Sequence, residues 1–356
     1  MSLDEQRKRI DEIDKKILDL LNERARAAIE IGKIKQSTNS VFYVPEREKA
    51  VYDSLADRNE GPLPNAAVKA IYREIMSSIR ALEKPTTVAF LGPMHTFSQL
   101  AVQRIFGATA ELRPMPSLNE IFTEVERGRV DYGVVPVESS IGGSVSDTLD
   151  RFLNSDLKII NEMLLHVSQN LLSKSPLDDI TKIYSKDQSF SQCRNWLQAN
   201  LPRAELIDVS STAEAARIAA DEEGAAAIGS ILAAEPYQLE VVAERIEDSP
   251  HNYTRFFAIG RQLVRPTGND KTSLLISIRN MPGALHGLLM PLAEVGVDLT
   301  KIESRPSRKK AWDYVFFIDL VGHVEDSNIK SALEKIAEHC TELKILGSYP
   351  QGDVER

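Results

Sequence analysis

Residues 3–35 contain no proline and a single glycine, Gly32. Their apolar residues Ile10, Ile13, Ile17, Leu20, Ala27, Ile31 and Ile34 recur at alternating spacings of three and four, which predicts one long amphipathic helix. The seam they trace passes through position 24, and that residue is Arg24. A guanidinium inside an apolar seam is costly unless an anion or a carboxylate meets it. Lys35 lies 11 residues further on, and at roughly 100° per residue it returns to nearly the same face. Two cations therefore point into one helix interface.

Pro45 suits the first turn of a second helix, which carries Arg47 and Glu48, and Asn65 is the expected cap of a third. The third helix has Val68, Ile71, Tyr72, Ile75, Ile79 and Leu82 on one face, which Glu83 extends by a turn. Such charges also suit a helical hairpin with internal ion pairs. Cations gathered around an interfacial glutamate fit a pocket for an anion better.

At 356 residues, two or three domains are expected. With 42% apolar and 27% charged residues and no long uncharged apolar run, neither a signal peptide nor a membrane span is expected, and the protein reads as cytoplasmic. Cys193 and Cys340 have no metal-ligand spacing, so they read as reduced packing residues. A net charge of -9 argues against nucleic-acid binding but leaves room for a local basic pocket.

Residues 1–84 resemble the helical, AroQ-like chorismate mutases of the bifunctional chorismate mutase and prephenate dehydratase proteins, through "LNERARAAIEIGKIK" (21–35) and "PERE" (45–48). The resemblance implies that Arg7, Arg24, Lys35, Arg47, Glu48 and Glu83 contact chorismate. A pericyclic rearrangement needs a folded substrate and donors aimed at the breaking ether oxygen, which cations and a neutral acid can supply. Arg7 falls off the shared face. In the family the equivalent arginine enters the partner's site, so an intertwined homodimer or higher homo-oligomer is expected.

Beyond Pro85, short apolar runs at 87–91, 132–137, 182–184, 206–209, 225–228 and 256–259 alternate with helical segments, which predicts an α/β unit with a largely parallel sheet. The first run ends in "GPMHTFSQLA" (92–101), where Thr96 and Ser98 open a helix as caps or as part of an anion seat. The second ends in "VVPVESSIGGSVSDTL" (134–149), placing Glu138, Ser139 and Ser140 beside a glycine pair. Ser185 ends a third run, with Gln192 in the helix that follows. The polar stretch "HNYTRFF" (251–257) sits at the mouth of the last run. There is no zinc motif, P-loop or dinucleotide fingerprint, and no cofactor or metal is expected.

Together these motifs look like a prephenate dehydratase domain over residues 86–262, a two-lobed, periplasmic-binding-protein-like α/β fold with its site in the cleft. The resemblance implies loss of CO2 and the ring hydroxyl from prephenate to give phenylpyruvate. Thr254 matches the family's essential threonine and Arg255 stands beside it as carboxylate anchor; Glu138, Ser139, Ser185, Gln192 and Asn252 match other cleft positions. His95 departs from a frequent glycine.

After a polar linker, residues 271–350 read as a βαββαβ order, with strands at 273–278, 312–321 and 343–346 and helices at 283–295 and 328–341. "PGALHGLL" (282–289) and "IESRP" (302–306) resemble the amino-acid-binding ACT domain, a ferredoxin-like α+β fold. This implies phenylalanine at Gly283, Ala284, Leu285, Glu303, Ser304, Arg305 and Pro306 as an end-product inhibitor. The leading reading is a bifunctional enzyme of phenylalanine biosynthesis; the alternative is a two-lobed sensor of small molecules without catalysis.

Overall fold

Helix α1 (Leu3–Ser37) runs for 35 residues, about 52 Å at the rise of an α-helix. The computed structural model describes residues 2–38, 41–278, 281–307 and 314–355. Ser2 and Glu5 close a reciprocal capping box at the start of α1. Helix α2 (Pro45–Arg58) opens on Pro45 as expected, and α3 (Asn65–Glu83) completes the helical unit. Asn65 is not the cap of α3. Pro64 occupies that position, and the Asn65 side-chain Oδ1 accepts from Asn59 Nδ2 at 2.6 Å instead. The described chain divides into this helical unit, Met1–Thr87 with Phe106–Glu111, and a second unit holding the remainder. Within the first, Phe106 packs its ring on Tyr43 at 4.6 Å, and its carbonyl accepts from Arg80. The apolar seam of α1 stays largely uncovered, with Ile10, Ile13, Ile17 and Leu20 all exposed.

In the second unit, β1 (Thr87–Leu91), α4 (Phe97–Phe106), β2 (Glu111–Met115), α5 (Leu118–Glu126), β3 (Tyr132–Ser139), β4 (Gly143–Ser144), α6 (Ser146–Phe152) and β5 (Lys158–His166) build a first lobe. The chain then crosses to a second lobe made of β6 (Asn170–Ser173), β7 (Lys182–Ser185), α7 (Asp187–Gln192), α8 (Arg194–Asn200), β8 (Glu205–Asp208), α9 (Thr212–Asp221), β9 (Ala225–Gly229) and β10 (Glu240–Ala243). It returns through β11 (Tyr253–Gly260) into the first. The C-terminal part follows as β12 (Asp270–Ser277), α10 (Ala284–Glu294), β13 (Leu299–Pro306), β14 (Tyr314–Val321), α11 (Ser327–His339), β15 (Glu342–Pro350) and β16 (Val354–Glu355). Trp312, expected to open β14, lies outside the described residues.

The first-lobe sheet has the order β16-β5-β11-β3-β1-β2 and the second-lobe sheet β10-β6-β9-β7-β8. The expectation of a largely parallel sheet is corrected. Strands β1 and β3 are parallel, as are β7, β8 and β9, but β11 lies antiparallel between β3 and β5. A strand returning from another lobe enters the sheet from the opposite end, so it cannot continue the βαβ winding.

The C-terminal sheet, β13-β14-β12-β15, carries the βαββαβ connection of a ferredoxin-like plait. Strand β12 is buried along its whole length because both faces are covered. Leu274 and Ile276 meet Leu288, Leu292, Ile329 and Ile336 of α10 and α11. Leu275 points the other way and joins Phe317, Leu346 and Tyr349 in one cluster with Ile159, Phe257 and Ile259 of the first lobe. The contact is close. A Cβ on Gly347 of β15 would stand 2.1 Å from the Ile159 carbonyl oxygen of β5, so glycine alone fits.

Candidate functional site

In the helical unit, α1 and α3 meet where Gly32 faces Glu83, and a Cβ on Gly32 would lie 3.1 Å from Glu83 Cβ. Lys35 Nζ reaches Glu83 Oε2 at 3.2 Å and the Phe42 carbonyl at the same distance. Arg80, which the periodicity did not single out, is 7% exposed and donates to Glu48. Burial pushes the Glu48 carboxyl up from its ordinary value, against the pull of Arg80, Lys35 and Arg24. Arg24, Lys35, Glu48 and Glu83 thus gather in one region. Arg47 is exposed, and Arg7, on the uncovered part of α1, keeps only a loose ion pair with Asp4 at 3.9 Å among the described residues. Gly32→Val is expected to force α3 off α1 and lower activity in this pocket about 10- to 100-fold, since catalytic geometry tolerates little displacement. Rates measured separately for the helical unit and for the second unit check this, and the second should be unaffected.

The two crossings between lobes lie side by side. Val167 N donates to the Asn252 carbonyl at 2.8 Å, Ile246 N to the Gln169 carbonyl at 2.8 Å, and His166 Nε2 sits 3.1 Å from the Pro250 carbonyl. At this junction Gln192 Oε1 accepts from Gln169 Nε2 at 2.9 Å and from Asn252 Nδ2 at 3.1 Å. Asn252, fully buried, ties the crossing to the second lobe. Thr254 follows on β11 and pairs with Ser139 of β3, while Arg255 pairs with Glu138. Among the described residues the Thr254 hydroxyl makes no hydrogen bond, and Thr254 is half-buried. Thr254 and the Glu138–Ser139 strand end therefore share one edge of the first lobe.

Other expected cleft residues are engaged in the scaffold. The Ser139 hydroxyl accepts from the amides of Ile141 and Gly142, a local turn. Ser185 is fully buried and donates to the Ile228 carbonyl at 2.8 Å, inside the second-lobe sheet and away from solvent. Thr96 Oγ1 donates to the Pro93 carbonyl and the Thr96 carbonyl receives Leu100 N, so it starts α4, with Ser98 in its first turn. His95 holds φ 67°, a left-handed conformation that favours glycine, and its amide donates to Gln99 Oε1 at 2.6 Å. Its ring stands edge-on to Tyr237 of the second lobe at 5.6 Å, and burial holds its pKa below the ordinary value. A groove of about 490 Å³ between α7, α8 and β8, lined by Asp187, Arg194 and Asp208, contains none of the expected residues.

Arg255 does not face the cleft. Successive side chains on a strand point to opposite faces, so a Thr254 open to the cleft turns Arg255 toward the C-terminal sheet. There its guanidinium donates to Glu162 Oε2 at 2.8 Å, Asp319 Oδ2 at 2.5 Å and the Tyr349 hydroxyl at 3.1 Å. Lys271 Nζ meets Glu162 Oε1 at 3.0 Å, and Ser273 Oγ donates to Asp319 at 2.5 Å. Burial works against the Arg255 charge, and the carboxylates of Asp319 and Glu162 more than offset it. Burial pushes the Tyr349 phenol well above its usual range, so it stays neutral.

In the C-terminal part, Gly283 caps α10 with φ 80°, and Ala284 and Leu285 form the helix's first turn. The motif "IESRP" lies on β13, whose burial alternates strictly. Ser304 and Pro306 point outward, whereas Glu303 and Arg305, with Lys301, point toward the first lobe. Arg305 binds Asp150 at 3.1 Å and the Ser146 hydroxyl at 2.9 Å, and Glu303 accepts from the Ser144 hydroxyl. The expected ligand residues of this motif are thus split between two faces within one chain. Lys301 escaped the sequence reading, although the K-x-E-x-R alternation in 301–305 carries its signal.

A profile of the family described as "Prephenate dehydratase" matches residues 88–263, "Chorismate mutase type II" matches 6–84 and "ACT domain" matches 272–338. The chain is 50% identical over 352 residues to the bifunctional chorismate mutase/prephenate dehydratase of Stutzerimonas stutzeri, covering 97% of this chain and 96% of the relative. It is 47% identical over 354 residues to the protein of that name from Aquifex aeolicus, covering 98% of each. Among solved structures, the prephenate dehydratase of Arthrobacter aurescens in complex with L-phenylalanine aligns with a TM-score of 0.70 and 36% identity, over 75% of this chain and 90% of that one.

Proposed function

The chain belongs to the family of bifunctional chorismate mutase/prephenate dehydratase proteins with a C-terminal ACT domain, and from that premise we propose the following division of labour. Residues 1–84 isomerise chorismate to prephenate. Residues 86–262 convert prephenate to phenylpyruvate. Residues 271–350 bind phenylalanine, the amino acid held by the similar dehydratase from Arthrobacter aurescens, and slow the pathway that makes it.

In the mutase, Arg24, Lys35 and Arg47 hold the dicarboxylate in its folded form, Glu48 meets its hydroxyl, and Glu83 with Lys35 faces the ether oxygen. No covalent intermediate is needed. The exposed seam of α1 supports a homodimer: a second copy would cover Ile10, Ile13 and Ile17 and receive Arg7, whose side chain is 68% exposed.

In the dehydratase, the C–C bond to the ring carboxylate breaks to release CO2. Its electron pair moves through the ring and expels hydroxide, which takes a proton and leaves as water. The observation that carries this reading is the Thr254 hydroxyl, without a hydrogen bond among the described residues, beside the Glu138 strand end. Thr254 hydrogen-bonds the departing hydroxyl, Glu138 supports that proton transfer, and the first-turn amides of α4 with Thr96 and Ser98 seat a carboxylate. Gln192 and Asn252 set the angle between the lobes. Neither reaction calls for a metal or redox cofactor. No described helix is long and apolar enough to cross a membrane, and we assign the protein to the cytoplasm.

The test is one coupled assay of chorismate loss and phenylpyruvate formation, with and without phenylalanine. Both rates should be measurable, and phenylalanine should depress phenylpyruvate formation. Binding of phenylalanine with neither turnover would leave a sensor in place of an enzyme.

A further inference from the structure

Strand β13 belongs to the regulatory sheet, yet its inward side chains end on the catalytic hairpin of the first lobe. Lys301 Nζ lies 2.9 Å from Glu138 Oε2, 3.3 Å from Glu303 Oε2 and 3.0 Å from the Ser144 hydroxyl. Ser144 pairs across β3 and β4 with Glu138 itself. The Lys301 side chain is 12% exposed and that of Glu138 is 39% exposed, so the cation is held inside while the carboxylate keeps one side open. Four residues further along β13, on the same face, Arg305 fastens the start of α6 through Ser146 and Asp150.

We propose that Lys301 is a positioning residue for dehydration: the regulatory strand supplies the cation that holds the Glu138 carboxylate in its working orientation, with Ser144 and Glu303 keeping the ammonium in place. The inference rests on the reading of Glu138 as a residue of the dehydratase cleft. An ammonium whose remaining donors are taken by Ser144 and Glu303 cannot follow a wandering carboxylate, so it restricts Glu138 to a narrow range of positions. A shift of β13 by a fraction of an ångström moves this clamp, which makes it a direct route from the regulatory sheet to the catalytic hairpin.

The experiment is a double-mutant cycle in the full-length protein, using Lys301→Met, Glu138→Gln and the pair, with Lys301→Arg as the conservative variant. Lys301→Met should lower the dehydratase kcat about tenfold with little change in KM, while chorismate mutase activity in the same preparation stays unchanged. Lys301→Arg should recover most of the loss. In the Glu138→Gln background the lysine substitution should cost nothing further. If Lys301→Met multiplies the Glu138→Gln defect in full, or if methionine and arginine behave alike, Lys301 does not act through Glu138 and the proposal is overturned. If Glu138→Gln itself leaves dehydration intact, the reading of Glu138 fails instead. Loss of both activities with a lowered unfolding midpoint in Lys301→Met and Lys301→Arg alike assigns the lysine a purely structural role, which also overturns it.

Discussion

Arg255→Met is expected to destabilise the second unit by about 3–5 kcal/mol, the range for breaking a buried ion pair on one side. The buried group balances two cations, Arg255 and Lys271, against Glu162 and Asp319. Removing the guanidinium leaves a carboxylate in excess among residues that are less than a tenth exposed. Lysine at 255 should rescue little, because a single ammonium cannot reach Glu162, Asp319 and Tyr349 together as the planar fork does. Urea denaturation followed alongside dehydratase kinetics checks this. A variant with an unchanged midpoint and only a raised KM for prephenate would restore Arg255 to the role of carboxylate anchor.

Thr254→Val should lower the dehydratase kcat by about 10²- to 10⁴-fold, the usual worth of a positioned proton donor. Valine keeps the shape and the strand preference of threonine and removes only the hydroxyl. Stability and mutase activity should therefore stay close to those of the parent, and Thr254→Ser should retain a measurable rate. Full dehydration by the valine variant would transfer the donor role to Glu138.

The helical unit was the most legible part of the chain, because one long 3.6-residue period states both the element and the face that carries its apolar seam. Spacing put Lys35 and Glu83 each on the apolar face of its own helix, and only the fold shows that they meet. Arg80 was not singled out at all, since no local pattern links it to Glu48 on another helix. In the second unit, β11 and the runs ending at Leu91 and Ser185 were readable as apolar strands, but β5 was not. Its burial repeats at intervals of three rather than two, so alternation gave no signal. The side to which Arg255 turns was hidden for a related reason: a strand has two faces, and which one meets the cleft depends on a sheet appended later in the chain. The β13 zipper was invisible for the same cause, as its partners lie more than 150 residues away.

The sheet order β16-β5-β11 has a mechanical consequence. The chain leaves the first lobe from β11 to build the regulatory plait and comes back as β16, two positions away in the same sheet, about 10 Å at the usual strand separation. The plait is thus an insertion held by two pins rather than a pendant on one tether. Two attachments oppose a free swing and favour a tilt about the line that joins them. A ligand that tilts it delivers torque to β5 and β11, and β11 is the strand that carries Thr254.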